Sequence, residues 1–138
     1  MMLTFAPTSY RVKSNTGHEI FDLTPAAFFL NSQFVDLYGN PQNRNTIVNV
    51  DVKESMLKIV VRWSQMTAAN ASANTRELTP AQLQFFGYIE NAELQELFGV
   101  ALRIRNQSLI VAIQREKARR RREIEPLFYG PLAQYIRN

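Results

Sequence analysis

The chain has 138 residues, enough for one domain and too few for two ordinary ones. Its hydrophobic fraction of 46%, with nine Phe and five Tyr, excludes wholesale disorder, and the lack of Cys excludes a disulfide framework and a thiolate metal site. The net charge of +4 is unevenly spread. Residues 103–122 hold eight of the 16 basic residues and one acid, Glu116; the other eight basic and 11 acidic residues leave the rest at net −3. This is a mildly acidic domain with a basic C-terminal segment. The opening "MMLTFAPTSYRVK" lacks the apolar core of a signal peptide, and no stretch approaches the roughly 18 apolar residues of a membrane span. A cysteine-free chain of this kind fits a reducing compartment, the cytoplasm or the nucleus.

In chain order, "YRVK" (10–13) and "HEIFDL" (18–23) flank Ser14, Asn15, Thr16 and Gly17, all turn formers, so the unit predicts a β-hairpin. Thr24 can cap a helix with Pro25 at its first position. Asn31-Ser32 then interrupts the apolar spacing of Phe28, Phe29 and Leu30 against Phe34, Leu37 and Tyr38, which predicts two short helices. "IVNVDV" (47–52) alternates and is valine-rich, hence a strand. After it, Met56, Leu57, Val60, Val61 and Ser64 share one side of a helix, with Trp63 at the flank. Residues 67–77 are small and polar, and suit a solvated loop or a weak helix end.

Thr79-Pro80 repeats the cap signal, with Leu83, Phe85 and Phe86 on the apolar face and Gly87 near the end. Asn91 is placed to cap a further helix, whose inner face is Leu94, Leu97, Phe98, Ala101 and Leu102. A last helix is expected over roughly Gln107 to Glu125, stopped by Pro126. The tail "LFYGPLAQYIRN" is too apolar for a solvated end, and is expected to dock on this chain or on a partner.

Chemistry-bearing motifs are lacking. There is no nucleophile elbow, phosphate loop, dinucleotide fingerprint or histidine pair. The lone His18 beside Glu19 reads as a surface residue of a strand, and the row Glu90, Glu93, Glu96 reads as acids favouring a helix start rather than as metal ligands. Neither catalysis, a cofactor nor a metal is expected. The run "REKARRRRE" has two readings: a solvated helix whose arginines pair with Glu116, Glu123 and Glu125, or a surface for RNA, DNA or an acidic protein through Arg115, Lys117, Arg119, Arg120, Arg121 and Arg122.

The series hairpin, two short helices, strand, helix ending in Trp, polar loop and helical half resembles the BTB/POZ fold, and within it the Skp-type cullin adaptors that include elongin C. "VDVKESMLKIVVRWSQ" resembles the family's strand followed by a helix reading L-K-x-V-x-x-W, with Leu57, Lys58, Val60 and Trp63 in those positions. "SNTGHEIFDL" resembles its hairpin, through Gly17, Glu19, Ile20, Phe21 and Leu23. "NSQFVDLYG" and "FFGYIENAELQELFG" resemble two of its helices, the second with Phe85 and Phe86 where the family has an alanine pair.

The resemblance covers residues 10–102. It implies an α+β core over residues 1–105, a small three-stranded sheet capped by a helical cluster, with a basic helix and apolar tail over 106–138. It implies a non-enzymatic adaptor linking a cullin-like partner to an F-box or BC-box helix in a ubiquitin ligase complex. Tyr88 and Asn91, with Phe34 and Leu37 nearby, would face the cullin; Leu94, Leu97, Phe98 and Leu102 would line the groove for the partner helix. On physical grounds alone, Phe34, Leu37, Leu97, Leu102 and Trp63 read as core. The alternative is a BTB-like assembly protein, homodimeric or not, whose basic arm binds nucleic acid or acidic protein surfaces.

Overall fold

The computed structural model describes residues 8–39, 47–69 and 77–128, with side chains of the last helix to residue 123. Nine elements follow in order: β1 (Tyr10–Ser14), β2 (Ile20–Leu23), α1 (Pro25–Phe29), α2 (Ser32–Tyr38), β3 (Ile47–Val50), α3 (Glu54–Ala69), α4 (Pro80–Phe86), α5 (Asn91–Ile104) and α6 (Gln107–Phe128). The fold is α+β: a three-stranded mixed sheet of order β2-β1-β3, covered by helices. β1 pairs antiparallel with β2, Tyr10 opposite Leu23 and Lys13 opposite Ile20. It pairs parallel with β3, Arg11 opposite Ile47 and Ser14 opposite Val50. A parallel neighbour needs a crossover, and the short helices α1 and α2 supply it.

The hairpin turn works through Gly17. A Cβ there would collide with the Glu54 carboxylate, which receives the His18 backbone N–H at 3.0 Å. Gly17→Ala is therefore expected to displace Glu54 and lose that bond, lowering stability by about 1 kcal/mol; urea unfolding of the two proteins measures it. His18 and Glu19 precede β2 rather than lying within it, and His18 is exposed. Thr24 caps α1 by accepting from the Ala27 N–H, with Pro25 at the first helical position. Asn31 separates α1 from α2, as the broken apolar spacing predicts.

One hydrophobic core runs through the described residues. Val12, Val48 and Val50 face it from the sheet, and Met56, Leu57, Val60 and Trp63 from α3. Phe28 stacks on Tyr10 with centroids 4.2 Å apart, and Phe34 lies behind it. Trp63 is wholly enclosed, its ring 5.3 Å from Phe85 and 5.6 Å from Phe86. The two phenylalanines thus form the indole's wall. Leu94, Leu97, Ala101 and Ile104 of α5 and Leu109, Ala112 and Ile113 of α6 belong to the same core, so residues on both sides of position 105 share it.

A buried polar chain joins the sequence-distant parts. Asn106 donates to Asn31 Oδ1 at 2.8 Å, and Asn31 donates to Ser64 Oγ at 3.0 Å and to the Ala27 carbonyl at 3.1 Å. Ser64 donates onward to the Val60 carbonyl. On the other side, Asn106 Oδ1 accepts from Ser108 Oγ at 2.8 Å and from the Leu109 N–H at 3.1 Å, which caps α6. Ser108 Oγ in turn receives the Trp63 indole N–H at 3.1 Å. Every member has a partner, the condition for a polar group to sit in a core without a penalty of about 1–3 kcal/mol.

Two helix boundaries differ from the sequence expectation. Glu90, not Asn91, is the cap position of α5, and Asn91 is its first helical residue. α6 continues through Pro126 to Phe128. A proline removes one backbone donor and crowds the preceding turn, but only two residues follow it in this helix. Residues 70–76 of the expected loop and residues 129–138 of the expected docking tail lie outside the described residues.

Candidate functional site

The outer face of α3, α4 and the turn into α5 enclose a cleft of about 640 Å³. α3 contributes Lys58, Ile59, Arg62 and Met66, on the side opposite its buried stripe. α4 contributes Ala81, Gln84 and Phe85, and the turn adds Tyr88 and Ile89, with Glu93 from the first turn of α5. Ile59, Met66, Phe85 and Ile89 make the floor apolar. Tyr88 stands over it with 85% of its surface exposed, the most exposed large apolar residue among those described. An exposed aromatic beside an apolar floor with charged groups at the rim suits contact with an apolar chain segment.

The local sequence explains why this turn exists. Thr79 and Gln82 form a capping box with Pro80 in the first helical turn, so α4 starts sharply. Gly87 ends it after seven residues, and its N–H closes on the Leu83 and Gln84 carbonyls. The turn then leaves the carbonyls of Phe86 and Ile89 pointing outward from α4, toward α6. Arg120 takes both: one guanidinium nitrogen donates to Phe86 O at 2.9 Å and Ile89 O at 2.7 Å, and another to Asn91 Oδ1 at 2.8 Å. The third nitrogen, Nε, donates to Glu116 at 2.6 Å. A single arginine thus clamps the Tyr88 turn onto α6.

Glu116 is fully buried and holds two arginines. Arg119 grips both its oxygens, at 2.7 and 2.9 Å, and also reaches Glu123 at 2.6 Å. Burial pushes the Glu116 carboxyl up, but hydrogen bonds and charge from Arg119 and Arg120 outweigh it and hold the group below its ordinary value. Glu116 in return pushes the Arg119 guanidinium further up, burial opposing.

The basic run is therefore largely engaged in the fold. Lys117 bonds Gln95 and lies 4.2 Å above the Phe98 ring, Arg115 has an internal interaction of its own, and Arg119 and Arg120 are bound as described. Arg121 and Arg122 are exposed. Arg115, Arg119 and Arg122 border a smaller recess with Glu77, Leu78, Leu83 and Ala118.

Of the partner-facing residues expected from the resemblance, Tyr88 alone lines the cleft. Phe34, Leu94 and Leu97 are enclosed in the core and offer nothing to a partner, because the inner stripes of α2 and α5 face the sheet and α6. Asn91 is held by Arg120, and Phe98 is half-buried beneath Lys117. Leu37 and Leu102 are about half exposed, on α2 and α5, which pack together and are bridged by the Asp36–Arg105 ion pair. Arg105 itself ends α5 in the left-handed conformation, φ 57°.

Ile59, Arg62, Met66 and Ile89 went unrecognised in the sequence. Ile59 and Met66, seven residues apart with Arg62 between them, do mark a second, weaker and partly charged face on α3, which a search for one stripe per helix overlooks. Among the described residues no group of His, Cys, Asp and Glu could hold a metal ion, and no helix is long and apolar enough to cross a membrane. No protein-family model matches the chain, and no curated protein matches it.

Proposed function

We propose that this chain is a non-enzymatic adaptor or scaffold of the Skp and elongin C type, which receives an apolar helix of a partner protein in the α3–α4–α5 cleft. The observation that carries the reading is the apolar floor of Ile59, Met66, Phe85 and Ile89 beneath the exposed Tyr88. Its element order supports it further: hairpin, two short helices, third strand, tryptophan-bearing helix and helical half is the order of the BTB/POZ resemblance. In this reading the F-box-like or BC-box-like helix takes the cleft, and the cullin-like partner takes the α2–α5 side, where Leu37 and Leu102 are half exposed. The internal engagement of Lys117, Arg119 and Arg120 favours this over a nucleic-acid arm, since those groups already have partners.

The test is affinity capture from native extract with the full chain and with Tyr88→Asp. Cullins together with F-box or BC-box proteins are expected in the wild-type eluate, with the helix-bearing partner reduced at least tenfold for the variant, since a central aromatic hot spot is worth about 2 kcal/mol or more. Tyr88 is exposed, so the variant should melt at the wild-type temperature. Equal recovery by both proteins, or an eluate dominated by ribonucleoprotein that salt removes, would reverse the reading.

A further inference from the structure

We infer that the cleft selects a helical segment carrying acidic residues along the flank that meets α3, and that Arg62 is the residue that selects it. The inference rests on the cleft being a binding groove and adds the chemistry of its occupant. Arg62 and Lys58 stand one helical turn apart on the same wall, beside the apolar Ile59 and Met66. Lys58 has a loose partner, Glu19 at 3.6 Å. Arg62 is exposed and has no ion pair among the described residues, whereas Arg103, Arg105, Arg119 and Arg120 each bind a neighbour. Glu93, from the first turn of α5, also lines the cleft, exposed and likewise without an ion pair among the described residues.

The α3 side of the cleft therefore presents two cations beside a greasy floor. A docking helix would remove water from Arg62, and a charge taken out of water next to apolar side chains needs an opposite charge from the incoming chain. A carboxylate on the α3-facing flank supplies it, and the planar guanidinium can hold it through two parallel hydrogen bonds. A basic residue there would meet Arg62 and Lys58 directly and be repelled. The occupant is thus an amphipathic helix with an apolar stripe beside an acidic edge.

Fluorescence anisotropy tests this with the full chain and three labelled helical peptides. They share one apolar stripe and carry Glu, Gln or Lys on the α3-facing flank. Wild type is expected to bind the Glu peptide about tenfold tighter than the Lys peptide. Arg62→Gln should shrink the preference to the share that Lys58 supplies, and Arg62→Glu should reverse it, while both variants keep the wild-type melting temperature. Equal affinity of wild type for the Glu and Lys peptides would overturn the inference and leave the groove standing. Failure of all three to bind would overturn the groove as well. A mixed-sequence oligonucleotide that displaces the Glu peptide would show general anion attraction and overturn the selectivity.

Discussion

Alanine at Glu116 is expected to destabilise the protein by about 3–5 kcal/mol, because it leaves Arg119 and Arg120 beside a buried gap with no carboxylate. The melting temperature should fall by roughly 10–20 °C, measured by circular dichroism. The loss should not be uniform. Arg120 holds the Phe86 and Ile89 carbonyls as well as Glu116, so hydrogen exchange should accelerate first at residues 87–90. Glu116→Gln, which keeps the shape without the charge, should lie between the two. An exchange pattern in Glu116→Ala no faster at 87–90 than elsewhere would remove Arg120 as the clamp of the turn.

The same group dictates the response to acid. Its folded-state pKa lies below the ordinary 4.5. The contribution to stability is therefore complete above about pH 4.5 and fades as pH falls below it toward the lowered folded value. Wild type should lose stability across that window more steeply than Glu116→Gln, and the two curves should converge at the acid end. Parallel curves would mean that the carboxyl binds its proton equally in both states.

The second large effect belongs to Asn106. Asn106→Ala strips Asn31 Oδ1 of a donor, and leaves the Ser108 hydroxyl and the Leu109 N–H without their acceptor. Each such orphan costs about 1–3 kcal/mol, that at Leu109 being the lost cap itself, so a total of at least about 3 kcal/mol is expected in urea unfolding. Asn106→Asp is the informative companion. It keeps the acceptor for Leu109 but presents an oxygen to Asn31 Oδ1, so it should recover the cap and not the link. Fluorescence of Trp63, the single tryptophan, reports the change through Ser108.

Much of the α+β architecture is legible in local chemistry. Thr24-Pro25 and Thr79-Pro80 announce helix starts, Asn31-Ser32 announces the break, and alternation marks the strand at 47–50, because each of these signals acts within a few residues. Glu116 shows where such reading ends. Surrounded in sequence by arginines, it looks like one more solvated charge, yet Leu109, Ala112, Ile113 and Glu116 fall at three-to-four spacing and all face inward. The apolar period carries the carboxylate into the interior, and its two arginines follow it. Asn106 was invisible for another reason: Asn31 and Ser64 lie 75 and 42 residues away, and nothing local records that they meet. The expected groove on α5 failed on the same point, since Leu94 and Leu97 belong to a stripe that only the arrival of α6 completes.

The asparagine link has a last consequence for how the chain could be divided. Because the amide at the α5–α6 junction is knotted to the first, second and third helices, a protease nick at Arg105 would not release the long C-terminal helix. The two fragments should co-elute as a single particle under native conditions and separate only in denaturant. Mixed afresh after dilution, they would be expected to reassemble into one cooperative body.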